Sequence, residues 1–107
     1  MGLFDILRGP GINQGVKEYS ETAGAVLLDV RTEAEYREGH IPGSQNLPLQ
    51  EIDRVGETVG EKDTPLFVYC RSGARSGQAV EALKRMGYHN AKNIGGIAAY
   101  TGKVESA

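Results

Sequence analysis

One residue in this chain can act as a strong nucleophile near neutral pH: Cys70, its single cysteine. It opens the run Cys70-Arg71-Ser72-Gly73-Ala74-Arg75-Ser76, in which small residues lie between two guanidinium groups. The apolar stretch Leu66-Phe67-Val68-Tyr69 precedes it, and Gly77 to Met86 follows with helical patterning. The thiol therefore falls at a strand-to-helix turn, facing a helix N-terminus. Fixed positive charge and inward-pointing N–H groups both favour thiolate over thiol. A structural cysteine sits more often among apolar neighbours and is inert. Cys70 reads as a nucleophile.

A curl of Ser72, Gly73 and Ala74 would turn several backbone N–H groups toward the sulfur, and Gly73 can take a positive φ without steric cost. Such a nest, reinforced by a helix beginning near Arg75 or Ser76, suits a thiolate, a persulfide, or an oxyanion beside the sulfur. Arg71 and Arg75 add charge-assisted donors for a sulfonate or phosphate group. Either arginine alone would be an ordinary solvated charge. Two of them around a unique cysteine make Arg71, Ser72, Gly73, Ala74, Arg75 and Ser76 the expected substrate-binding set, with Cys70 catalytic.

Loop length selects among reactions. A cysteine phosphatase uses Cys-x5-Arg, sized for a tetrahedral phosphate, whereas Cys70 to Arg75 is Cys-x4-Arg. The smaller ring suits one extra sulfur atom better than a phosphoryl group. No aspartate is assignable as general acid for an alkoxide leaving group. The count favours sulfur transfer.

The remaining polar candidates have quieter readings. Asp29 ends an apolar run and is expected to support the cysteine loop or Arg75 from behind, or to cap the turn at Arg31. Arg31 is expected to pair with Glu35 or Glu38, and His40 to fix the turn before Ile41-Pro42-Gly43 by a hydrogen bond. His89 reads as exposed and Tyr69 as core. Two histidines and one cysteine offer no credible zinc set, so no metal is expected.

These groups need a frame. Asn13 could cap a helix running to about Ser20, and Ala25 to Val30 is an apolar run closed by the acid Asp29, the pattern of a strand buried on both faces. Thr32 and Glu35 form a capping box for a short helix stopped by Gly39. Ser44 to Leu47 reads as a strand, Leu49 to about Val55 as a helix, and Leu66 to Tyr69 as a strand. The helix after the cysteine buries Ala79, Val80, Leu83 and Met86 on one stripe. Lys92 to Ile94 reads as the last strand, Ile97 to Tyr100 as a short helix, and Val104 to Ala107 as a fraying tail. Strands alternating with helices indicate an α/β domain with a mainly parallel central sheet flanked by helices on both faces. Open parallel sheets bind ligands beyond their strand C-termini, which puts Asp29 and Cys70 at one crevice.

At 107 residues, with 39% hydrophobic and 24% charged, the chain has the size of one soluble domain. The expected division is an N-terminal extension, 1–11, a domain, 12–103, and a tail, 104–107. A net charge of −2 gives no reason to expect nucleic acid or an anionic membrane as partner. The start, Met1 to Arg8, is too short for a signal-peptide core or a span and would pack or fray. Without an intramolecular disulfide to form, the chain fits a reducing compartment, and a cytoplasmic monomer is expected.

Four segments together resemble a single-domain rhodanese, a module of the thiosulfate sulfurtransferase type. They are Leu27-Leu28-Asp29-Val30-Arg31, Glu35 to Ser44, Cys70 to Ser76, and Asn93-Ile94-Gly95-Gly96-Ile97 followed by Tyr100. The match runs from about Ala25 to Tyr100, and the combined order is far more specific than any one piece. Tyr100 stands near a place where many members have tryptophan, a difference of packing. The resemblance implies a ping-pong cycle: Cys70 takes a sulfane sulfur from thiosulfate or a persulfide donor and passes it to cyanide, a thiol, or a protein acceptor. It implies no cofactor. Two alternatives stand beside the enzyme: a protein-to-protein sulfur relay with little turnover on thiosulfate, and a cysteine-dependent phosphatase or arsenate reductase.

Overall fold

The computed structural model describes residues 11–107, so the expectations for Met1 to Arg8 lie outside the described residues. Its order is α1 (Ile12–Ser20), β1 (Val26–Asp29), α2 (Glu33–Glu38), β2 (Ser44–Asn46), a 3₁₀ segment (Leu49–Glu57), β3 (Leu66–Cys70), α3 (Ala74–Arg85), β4 (Ala91–Gly96) and a second 3₁₀ turn (Ile97–Ala99). The four strands form one parallel sheet in the order β2-β1-β3-β4.

The apolar strand runs are explained by what covers them. Leu28, Leu66, Val68 and Cys70 face one core with Val55, Ala79, Val80 and Leu83, while Leu27, Phe67 and Tyr69 face another with Ile12, Ile41 and Ile94. Successive residues of β3 thus enter opposite cores, and all five are buried. A central strand covered on both sides cannot alternate with polar residues. Each Leu or Val so buried is worth about 1.5–3 kcal/mol.

From β1 the chain moves outward to β2, and from β3 outward to β4 on the opposite side. The crevice of an open sheet forms where that direction reverses. Here it lies between β1 and β3, whose register sets Asp29 beside Tyr69, one residue before Cys70.

Several local expectations change. Helix α1 is capped by the extended backbone of Gly11 with no side-chain bond, and Asn13 instead accepts a hydrogen bond from the Thr101 N–H at 3.1 Å. Residues Leu49–Glu57 wind as 3₁₀ with a break at Glu51, tightened by the Glu51 N–H donating to the Pro48 carbonyl at 2.8 Å. The last residues, expected to fray, are held: Glu105 and His40 exchange backbone hydrogen bonds at 2.8 and 2.9 Å in an isolated antiparallel bridge. The capping box of Thr32 and Glu35 is present in both directions.

Candidate active site

Cys70 is the last residue of β3, and its side chain is almost wholly buried. The chain then turns so tightly that the Gly73 N–H donates to the Cys70 Sγ at 3.0 Å. Gly73 makes this turn with φ +106°, a left-handed conformation that a side chain would strain, and from it α3 begins at Ala74. Ser76, in the first turn of α3 and fully buried, has its Oγ 3.4 Å from the same sulfur. The loop is pressed against β4: a Cβ at Gly96 would collide with the Arg71 carbonyl, which also accepts the Ala98 N–H at 3.1 Å. Strand β4 carries a bulge where Val68 pairs Asn93 but Tyr69 pairs Gly95. Bulges near sites re-aim side chains. Here the Asn93 carboxamide reaches the loop, donating to the Gly73 carbonyl at 3.0 Å and accepting from the Ser76 hydroxyl at 2.7 Å.

Burial pushes the Cys70 thiol up, but the Ser76 hydroxyl and the backbone amides of Ser76, Gly73 and Ser72 push it down by more. The thiol is more acidic than a free cysteine. The leading stabilisers are thus a hydroxyl and aligned N–H groups rather than the two arginines.

The two arginines of the loop have parted. Arg75 is clamped by Glu35 of α2 through two bonds, at 2.8 and 3.1 Å. Its guanidinium holds the Glu35 carboxyl down at about 2. Glu35 thus serves both the capping box and the loop. Arg71 is exposed and lines a groove of about 310 Å³ with Arg31, Glu35, Glu38, Gly39, Ile97 and Ala98. Ser72 and Ala74 lie exposed on the outer side of the loop.

Asp29 turns toward its own strand end rather than toward Arg75 or the cysteine loop. Its carboxylate is taken up by Arg31, through Nε at 3.0 Å, Nη2 at 2.6 Å and the backbone N–H at 2.9 Å. Arg31 therefore does not pair with Glu35 or Glu38; its Nη2 goes on to the Gly39 carbonyl at 2.7 Å. The chain folds back over two residues because burial leaves the pair no solvent to turn to. His40 fixes its turn, with Nδ1 2.8 Å from the Tyr36 carbonyl and its ring stacked on Tyr36 at 3.8 Å. His89 is exposed, and Tyr69 is core with its hydroxyl bonded to Ser44 and Ile41. Sequence reasoning missed Asn93 as part of this site. Its only signal was a place in the Asn-Ile-Gly-Gly segment, where the bulge could not be foreseen.

Known proteins resemble this chain in sequence and in fold. The rhodanese-like domain profile matches residues 13–103. The thiosulfate sulfurtransferase PspE of Escherichia coli K12 is 41% identical over 71 residues, covering 65% of this chain and 68% of that protein. The putative sulfur carrier protein YrkF of Bacillus subtilis is 36% identical over 80 residues, covering 74% of this chain but only 43% of the relative. A solved structure described as a rhodanese with anions from E. coli superposes with a TM-score of 0.73 at 34% identity, covering 78% of this chain and 99% of that one.

Proposed function

The chain belongs to the rhodanese-like family of sulfurtransferases, and from that premise we propose that it moves a sulfane sulfur through a persulfide on Cys70. The observation that carries the reading is the sulfur at the focus of a short N–H-lined loop, with the Gly73 amide already on it. In the first half-reaction the Cys70 thiolate attacks the outer sulfur of thiosulfate. The new S–S bond forms as the old one breaks, and sulfite leaves with the electron pair of the broken bond. In the second, cyanide or a thiolate attacks the outer persulfide sulfur, and the Cys70 thiolate is the leaving group. The negative charge passes from the Cys70 Sγ to the outer persulfide sulfur and back, so fixed N–H dipoles converging on this pair of sulfurs serve both stages.

The proposed roles follow the geometry. Gly73 and Ser76 hold the anion, with Ser72 and Ala74 shaping the curl between Cys70 and α3. Arg71, at the groove, meets the sulfonate of the donor. Arg75 holds the loop to α2 through Glu35, and Asp29 keeps the end of β1 rigid through Arg31. The six-residue loop is too small for a phosphoryl group, so aryl phosphates should not be hydrolysed above background.

Similarity to a putative sulfur carrier favours a second reading, in which the acceptor is another protein and turnover on thiosulfate is slow. Intact mass separates the outcomes. Incubation with thiosulfate should add the mass of one sulfur atom, cyanide should remove it, and Cys70→Ser should gain nothing. A protein that keeps its mass with both thiosulfate and small persulfides would overturn the proposal. One that takes sulfur rapidly but releases it slowly to cyanide would favour the relay.

A further inference from the structure

Ser76 has one hydroxyl proton and two acceptors within reach: the Asn93 Oδ1 at 2.7 Å and the Cys70 Sγ at 3.4 Å. A hydroxyl donates once. The orientation of the Asn93 amide is fixed by its other bonds, since its Nδ2 faces the Gly73 carbonyl and its Oδ1 accepts the Gly95 N–H at 3.0 Å. Flipping it would set donor against donor and acceptor against acceptor. The oxygen therefore faces Ser76, and Ser76 must be the donor. The shorter distance assigns the proton to Asn93. When the sulfur is anionic the same hydroxyl can rotate onto it only by leaving Asn93, whose Oδ1 keeps the Gly95 N–H.

We propose that Asn93 is a positioning residue for Cys70: by competing for the Ser76 proton, it limits how strongly that hydroxyl stabilises the sulfur anion. The proposal rests on Cys70 being the reacting thiol. Its use is kinetic, because a thiolate that is stabilised too far becomes a poorer nucleophile. Asn93 makes no hydrogen bond to the sulfur and acts through Ser76. Its bond to Gly73 is not what holds the loop, because the Gly73 carbonyl also accepts the Gly77 N–H of α3 at 3.1 Å.

The charged groups around the sulfur do not compete for this role. The loop brings Arg71 and Arg75, α2 brings Glu35, and the end of β1 brings the Asp29–Arg31 pair. From β4, Lys92 is tied to Glu18 and lies over the Phe67 ring on the opposite face of the sheet. The arginines stay charged and Glu35 titrates at about 2, far from the thiol range.

The test is thiolate absorbance against pH, together with the pH dependence of iodoacetamide alkylation; neither requires turnover. Asn93→Ala should free the Ser76 proton for the sulfur and move the Cys70 midpoint down by about half to one pH unit. Asn93→Asp keeps the acceptor, holds the proton harder and adds negative charge, so its midpoint should rise. In a Ser76→Ala background, where the midpoint starts higher, Asn93→Ala should have no further effect. A merely structural Asn93 would loosen the loop and raise the midpoint in both variants. An unchanged or raised midpoint in Asn93→Ala overturns the proposal, as does a downward shift that survives Ser76→Ala. Should the alanine variant not fold, Asn93→Asp keeps the proposal open to refutation, because a midpoint that stays or falls there also overturns it. Midpoints that shift as stated in a protein without sulfur transfer would refute the function and leave this mechanism standing.

Discussion

Strands β1 and β3 lie side by side and end one residue out of step, yet the acid closing one and the thiol closing the other are treated in opposite ways. Asp29 is met by three donors of Arg31 and buried with them. Cys70 is equally buried but is bonded to no counter-charge, only to backbone amides and to a hydroxyl it shares with Asn93. In both places burial opposes the charged form. At Arg31 it is outweighed by bonds to Asp29, and at Cys70 by a hydroxyl and backbone dipoles. A full counter-charge makes a permanent joint, since neither partner can change state without stranding the other. Partial charges stabilise an anion and still let it attack, lengthen into a persulfide and return.

The two strand tips should therefore fail differently. Cys70→Ser should reduce sulfur transfer to background while the thermal midpoint stays close to that of the parent, because a hydroxyl fits where the thiol was; steady-state assay and calorimetry check this pair. Asp29→Ala should do the reverse. Stranding the buried Arg31 should cost about 3–5 kcal/mol in urea unfolding, while the folded fraction keeps its alkylation rate at Cys70. A mild loss of stability there would show that the joint is not what holds β1.

Smaller effects sharpen the difference within the loop itself. Arg71, free of any ion pair among the described residues, should matter to binding: Arg71→Ala should raise the thiosulfate KM about tenfold with a smaller fall in kcat. An unchanged KM would remove Arg71 from the donor site. Arg75 is committed to Glu35, so the partner should matter to stability. The Glu35 carboxyl is lowered from 4.5 to about 2 in the folded protein, so what it contributes is present in full above its unfolded value and lost as pH falls from about 4.5 through about 2. Glu35→Gln should therefore flatten the acid side of the stability curve and lower stability at neutral pH by about 1 kcal/mol, the pair being partly exposed. Urea titrations between pH 2 and 7 measure both.

The features legible in the sequence are those written in neighbouring residues. The capping box at Thr32 and Glu35, the apolar run of β3 and the small residues after Cys70 each declare a local geometry, and the parallel sheet follows from their alternation. What stays hidden depends on distance along the chain or on backbone detail. Spacing points Arg31 to acids one and two helical turns onward, because a helical repeat is visible and a fold-back onto Asp29 is not. Glu35 meets Arg75 forty residues later, and only the sheet order makes them neighbours. Asn93 is one polar residue in a short strand until the bulge beside it sets its direction. The tail offers no pattern at all, since its bridge to His40 uses backbone groups that every residue possesses.

The bond from the Gly73 amide to the sulfur also makes the backbone a gauge of the reaction. Amides within β3 lie in ladders on both sides and should exchange with deuterium only through global opening. The Gly73 amide, whose acceptor is the sulfur itself, should exchange by local opening of the loop, at a rate set by the charge it faces. Relative to its neighbours it should become more protected as Cys70 ionises, and should change again when a second sulfur is added. One proton in the spectrum would then follow the protein around its cycle, with no label on donor or acceptor.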